Sequence, residues 1–156
     1  MTEILEQTFM PLESMSLGTA SARLALALIL GAAIGWEREH SSRAAGLRTH
    51  MLIAMAAALF TVIASELTHM RAASSAEVQT DPLRLIEAVT AGVAFLAAGS
   101  IIMRRGSVKG LTTGASMWLA GAIGLAAGVG NGTLAAIAAG FGLLVLELSR
   151  LTARGQ

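Results

Sequence analysis

Residues Gly110–Leu146 read GLTTGASMWLAGAIGLAAGVGNGTLAAIAAGFGLLVL, and they carry no charge at all between Lys109 and Glu147. As one helix this stretch would be about 55 Å long, at about 1.5 Å per residue. The hydrocarbon core of a bilayer is only about 30 Å thick. The stretch therefore has to fold into two spans. The natural break is Gly128-Val-Gly-Asn-Gly132, three glycines and an Asn in five residues. This predicts spans over Leu111–Ala127 and Thr133–Leu148.

Upstream lie three more apolar runs. Ala20–Trp36 is interrupted only by Arg23. His50–Ser65 has no charged residue after its first position, and Leu85–Met103 carries Glu87 near its start. The whole chain of 156 residues is 54% hydrophobic and 13% charged, with 17 Gly. Soluble domains carry about 45–50% apolar residues with Gly included, and about 25% charge. The composition fits neither a soluble domain nor a disordered chain. The expected fold is all-α, a polytopic membrane bundle of about five transmembrane helices.

Several function classes fall away. There are no Cys residues, so disulfides, thiolate zinc sites and Cys nucleophiles are excluded. A net charge of +1 offers no basic face for nucleic acid. No G-x-S-x-G elbow occurs, and Gly106-Ser-Val-Lys-Gly110 lacks the spacing of a phosphate-binding loop. It reads as a basic loop. Nothing in the residues points to an enzyme or to a resident cofactor.

Basic residues set the expected orientation. Arg38, Arg43, Arg48, Arg104, Arg105, Lys109, Arg150 and Arg154 fall on one side of a five-span chain, eight of the 11 Lys and Arg. That side is expected to be cytoplasmic, with the N-terminus outside. The expected layout is a short extracytoplasmic segment (1–19), a transmembrane domain (20–148) and a cytoplasmic tail (149–156). The acidic N-terminus, with Glu3, Glu6 and Glu13, argues against a cleaved signal peptide. The location implied is the bacterial inner membrane.

Glycines suit close helix approach in lipid. Gly31 and Gly35, Gly92 and Gly99, Gly110 and Gly114, then Gly121, Gly124 and Gly128, and Gly140 and Gly142 are the candidates. They either pack spans within one protomer or build a homodimer or homo-oligomer interface. Ser100, Thr112, Thr113 and Ser116 are expected to bond back to their own helices. No ionisable side chain is expected deep in a span. Arg23, Glu66 and Glu87 mark the outer face, where Arg23 and Glu87 either pair or each reach water.

Two Glu-x-x-His spacings, Glu37/His40 and Glu66/His69, fall at opposite membrane faces and cannot share one metal. The richest segment is the loop Trp36–His50. Trp36 suits the interface. Glu37 and Glu39 either hold a hard cation such as Mg²⁺ or pair with Arg38, Arg43 or Arg48.

At this loop the chain resembles the MgtC/SapB family. The first block is Gly31-Ala-Ala-Ile-Gly35-Trp-Glu37-Arg38-Glu39 followed by Ala45-Gly46-Leu47-Arg48-Thr49-His50. The second is Gly92-Val-Ala-Phe95-Leu96-Ala-Ala98-Gly99-Ser-Ile101-Ile102. The third is Gly110-Leu111-Thr112-Thr113-Gly-Ala115-Ser-Met-Trp118, then Gly124 and Gly128-Val-Gly130. Two departures stand out. Ala94 and Ala97 replace glycines usual in the family, and the soluble C-terminal domain of longer members is not in this sequence, as expected of a short, membrane-only form.

The resemblance implies an inner-membrane protein of magnesium homeostasis and acid or stress adaptation. It implies regulatory contacts with other membrane proteins, such as the rotary ATP synthase or cation-transport systems. The expected functional site groups Glu37, Arg38, Glu39, Gly46, Leu47, Arg48, Thr49 and His50 with Gly99, Gly110, Thr112 and Thr113 at one membrane face. The rival reading is a subunit that transports Mg²⁺ or another cation.

Overall fold

A computed structural model of the chain describes residues 11–41, 43–73, 81–104 and 107–153. Glu3, Glu6, Arg105, Gly106 and Arg154 lie outside the described residues. Among the described residues five helices form the bundle: α1 (Leu17–His40), α2 (Leu47–Ala73), α3 (Pro82–Ser100), α4 (Leu111–Gly128) and α5 (Gly132–Ala153). Four of them, α1 to α4, are long and apolar enough to cross a membrane, and α5 holds a shorter apolar stretch, Gly132–Leu148. The chain is an all-α membrane helix bundle.

The helices outrun the apolar runs because polar residues extend and cap them. Ser16 begins α1, its hydroxyl accepting from the Thr19 N–H at 3.1 Å. Asp81 does the same for α3 with the Leu83 N–H at 2.9 Å, and Pro82 fits the first turn. At the other end α1 continues one turn past Trp36 to His40. This brings Glu37, Arg38 and Glu39 onto a helix rather than into a loop.

One expectation is corrected between α3 and α4. Helix α3 ends at Ser100, not Met103. Ile101 turns to extended backbone, and Ile102–Arg104 (β1) pairs antiparallel with Ser107–Lys109 (β2). The hairpin satisfies backbone groups that a longer helix would have satisfied within itself. Gly110, at φ 95°, then starts α4. A Cβ there would run into the Ser100 carbonyl, so the left-handed turn and the close approach both require glycine.

Helix α4 is central and packs against each of the other four. Its face Ser116, Ala120, Ile123, Gly124 and Ala127 is buried. A Cβ on Gly124 would strike the Ala54 backbone, and one on Gly128 would lie 2.7 Å from Thr61 Cβ. On α1, Gly31 meets the His50 carbonyl, and Gly35 meets Leu47. These glycines let α1, α2 and α4 approach at backbone distance. Gly92, Gly99 and Gly140 do not share that role, because nothing lies within 4 Å of the positions their Cβ atoms would take. They sit on the outward faces of α3 and α5.

The middle of the bundle is apolar. Ala27, Ile34, Ala54, Ala58, Ile123 and Ala135 are fully buried there. At one end of this core Arg23 donates to the Gly128 carbonyl at 2.9 Å. The guanidinium thus meets the negative end of α4, and Glu87 is exposed, so of the two alternatives the Arg23–Glu87 pair is not formed.

At that same end Glu66 holds the segment before α1. Its carboxylate accepts from the Glu13 N–H at 2.6 Å, the Ser14 N–H at 3.0 Å and the Ser14 hydroxyl at 2.7 Å. Glu66→Ala is expected to free this strap. Hydrogen exchange at the Glu13 and Ser14 amides should accelerate, while the amides of α4 keep their protection.

Candidate functional site

The α1–α2 connection is short, so Glu37 to His50 fold back at the end of the bundle opposite Glu66. Glu39 accepts from the Leu47 N–H at 2.8 Å. An anionic acceptor at the start of α2 satisfies an orphan donor and suits the helix dipole. Gly46 leaves room for it, since a Cβ there would sit 2.6 Å from Glu39 Oε2. Glu39 therefore organises the turn.

Behind the turn lies a buried polar cluster. Arg38 is 3% exposed, although hydropathy places it in a surface loop. Its Nη2 donates to the Thr113 hydroxyl at 3.1 Å, crossing from α1 to the first turn of α4. Glu37 is 11% exposed, with Oε2 3.9 Å from Arg38 Nη1. The other oxygen of Glu37 accepts from the Ser41 hydroxyl at 2.8 Å. Glu37 Oε2 and Arg38 Nε are buried without a hydrogen-bond partner among the described residues. A cation beside the positive end of α4 is unfavourable by itself, and Glu37 offsets it.

His50 is fully buried one turn into α2. Its Nδ1 lies 2.8 Å from the Gly46 carbonyl and its Nε2 lies 3.0 Å from Ser116 Oγ. A carbonyl only accepts, so Nδ1 carries a proton. In the neutral ring Nε2 then accepts from Ser116. The same hydroxyl lies 2.8 Å from the Thr113 carbonyl, so its single proton has two acceptors in reach. Ser116→Ala leaves a buried ring nitrogen unpartnered. It is expected to lower stability by about 1–3 kcal/mol, read as a reduced unfolding midpoint in detergent.

The cluster joins α1, α2 and α4 through Glu37, Arg38, His50, Thr113 and Ser116. It buries Glu37, Arg38 and His50 at the ends of α1 and α2, where a surface loop was expected. Ser100 does bond back to its own helix, at the Ala97 carbonyl, whereas the Ser116 proton is shared between the Thr113 carbonyl and His50 Nε2. Thr113 instead gives its hydroxyl oxygen to Arg38. Ser116 was absent from the expected site. Its signal was periodic: Thr113, Ser116, Ala120 and Gly124 are spaced three and four apart, one face of α4.

The remaining expected site residues separate by role. Leu47 packs its backbone on Gly35, and Thr49 is half-buried. Arg48 is exposed at the start of α2, and Glu39 and Trp36 are exposed near the end of α1. Thr112 is exposed and lines a groove between α4 and α5. Gly110 seats α4 against the end of α3, whereas Gly99 faces outward and makes no contact with the cluster. His40 belongs to its own helix, with Nδ1 3.1 Å from the Trp36 carbonyl and its ring 4.6 Å from the indole. Among the described residues no three His, Asp or Glu side chains converge as a metal site.

The MgtC family model matches residues 24–154. The chain is 42% identical over 126 residues to the "Putative magnesium transporter YhiD" of Escherichia coli (strain K12), covering 81% of this chain and 58% of that one. It is 39% identical over 135 residues to "Protein SrpB" of Synechococcus elongatus, covering 81% and 72%. It is 37% identical over 134 residues to "Protein MgtC" of Brucella suis, covering 86% of this chain and 52% of that one. The chain thus spans little more than half the length of the YhiD and MgtC proteins it matches. No solved structure matches it. With apolar helices that suit membrane crossing and a family match over most of its length, the chain is a multi-pass bacterial inner-membrane protein and belongs to the MgtC family.

Proposed function

We propose that this protein is a non-enzymatic regulator in magnesium homeostasis or acid and stress adaptation, acting through contacts with other membrane proteins. In this reading the Arg38 end faces the cytoplasm, consistent with its share of Arg and Lys. The observation that carries the proposal is the apolar middle of the bundle. Ile34, Ala54, Ala58 and Ile123 are fully buried between the polar cluster and Arg23. They pack where a polar path through one protomer would have to run. The cluster then serves to fix the ends of α1, α2 and α4, and so to present Trp36, Glu39 and Arg48 as one rigid surface.

Partners of the kind the resemblance implies are the rotary ATP synthase and cation-transport systems. Self-association of protomers is part of the same proposal, supported by the open Gly92 and Gly99 face of α3. A second reading, a subunit that moves Mg²⁺ or another cation, is favoured by the name of the relative YhiD. Exposed carboxylates at both ends, Glu39 and Glu87, also suit it.

Growth in low-magnesium medium tests the proposal. A strain lacking the gene should recover with the wild-type protein. It should fail to recover with Arg48→Glu, made at wild-type level in the membrane. Full recovery with Arg48→Glu would remove this surface from the function.

A further inference from the structure

Of the three histidines in the chain, His40 and His69 are exposed and His50 is fully buried. A neutral imidazole has one donor and one acceptor nitrogen, so a carbonyl and a hydroxyl satisfy it. His50 has both, at Gly46 and Ser116. The hydroxyl also has a second acceptor. Ser116 Oγ lies 3.0 Å from His50 Nε2 and 2.8 Å from the Thr113 carbonyl, and its one proton can turn to either.

The same heavy atoms therefore satisfy two protonation states of the ring. With the ring neutral, Ser116 donates to Nε2. When a proton from water adds to the Nε2 lone pair, Nε2–H donates to Ser116 Oγ, and the serine proton turns to the Thr113 carbonyl. Nδ1 keeps its own proton on the Gly46 carbonyl throughout. No hydrogen-bonding group is left unpaired, and the ring gains one positive charge.

The surroundings carry charges of both signs. From α1, Arg38 opposes a charged ring and Glu37 favours it. Glu37 Oε2 is buried without a hydrogen-bond partner among the described residues, so it is free to balance a second cation. Glu39 holds the Leu47 amide at the start of α2. Arg43 in the connection and Arg48 on α2 are exposed. Helix α4 brings its positive end but no charged side chain, and α5 has none before Glu147. His50 lies one turn into α2, at an end of the bundle, where local opening admits water more readily than in the middle.

We infer that His50 is a proton-binding site of the folded protein, with the Ser116 hydroxyl as the rotor that satisfies both states of the ring. The inference rests on the proposed function, in which the cluster fixes the helix ends that carry Trp36, Glu39 and Arg48. The charges of Glu37 and Arg38 cancel. An added proton thus leaves the cluster with one net positive charge and its hydrogen bonds intact.

Nitrogen NMR of the purified protein in detergent tests this. His40→Gln/His69→Gln leaves His50 as the only histidine. As pH is lowered from neutral, its Nε2 signal should move reversibly from the unprotonated to the protonated range, while the α4 amides keep their hydrogen-exchange protection. Ser116→Ala, added to that background, takes the acceptor from the charged ring, so the step should move about one pH unit further into acid. A ring that stays unprotonated until the α4 amides exchange would overturn the inference, because His50 would then serve packing alone. An unmoved step in Ser116→Ala would also overturn it. The first measurement needs no substitution in the cluster, so it decides even where Ser116→Ala is too unstable to study. The titration reads His50 and the growth assay reads Arg48, so either can fail without the other.

Discussion

Arg38→Met is expected to destabilise the folded protein by about 3–5 kcal/mol, the usual cost of removing one partner of a buried ion pair. Two losses combine. The Thr113 hydroxyl loses the donor that ties α1 to α4. Glu37, whose Oε2 already has no hydrogen-bond partner among the described residues, then keeps a nearly buried charge with nothing to balance it. The double variant Glu37→Gln/Arg38→Met should regain most of the lost stability, because the uncompensated charge is gone and Gln can still accept from Ser41. Unfolding of the four species in detergent, followed by circular dichroism, gives the coupling directly. If the double variant is no more stable than Arg38→Met, the pair does not hold the cluster together.

Gly124→Ala should lower stability by about 2 kcal/mol, although alanine is the better helix former. The added Cβ would land on the carbonyl and Cα of Ala54. Both are backbone, so α2 and α4 must separate, and overpacking of this kind costs about 1–3 kcal/mol. Gly92→Ala is the matched control. Open space surrounds that position, so only the helix preference remains, a gain of about 0.5–1 kcal/mol. Opposite signs for the two substitutions, measured by the same unfolding assay, are the expected result. A neutral Gly124→Ala would show that α2 and α4 are not in backbone contact there.

The contrast between these two glycines shows what sequence reading carries in this protein. The charge-free run and its Gly128–Gly132 break locate α4 and α5 to within a few residues, because hydropathy and turn chemistry are local. Which glycine faces a neighbour is not local. Gly92 and Gly99 have the spacing of a packing face, yet the buried stripe of α3 is Val89, Val93 and Ala97. Ala97, one of the departures from the family pattern, packs towards Gly114 on α4, so the missing glycine on one helix is matched by a glycine on the other. The β hairpin was hidden because Ile101, Ile102 and Met103 extend the apolar run without a break.

The candidate site was legible in its residue list and not in its depth. Glu37 and Arg38 are neighbours in the first motif block and His50 closes it, and their end of the bundle follows from topology. Their burial follows from the extra turn of α1 beyond Trp36 and from the close approach of Gly31 and Gly35 to α2. Neither feature appears in a hydropathy profile. Glu39 looked equivalent to Glu37, but a two-residue step puts it on another side of the helix, where it meets the Leu47 amide. Arg23 had Glu87 or water as its expected partners. The carbonyl of Gly128 comes within its reach only because α1 and α4 lie side by side.

The proposed regulatory role stands on the closed apolar middle of the bundle, and one measurement addresses it. Purified protein is reconstituted into sealed liposomes that hold a fluorescent Mg²⁺ indicator, and an inward Mg²⁺ gradient is applied with and without a membrane potential. The predicted result is uptake no faster than in protein-free liposomes. Uptake that scales with the amount of protein and is lost with Glu39→Gln or Glu87→Gln would contradict the account and establish cation transport as the function.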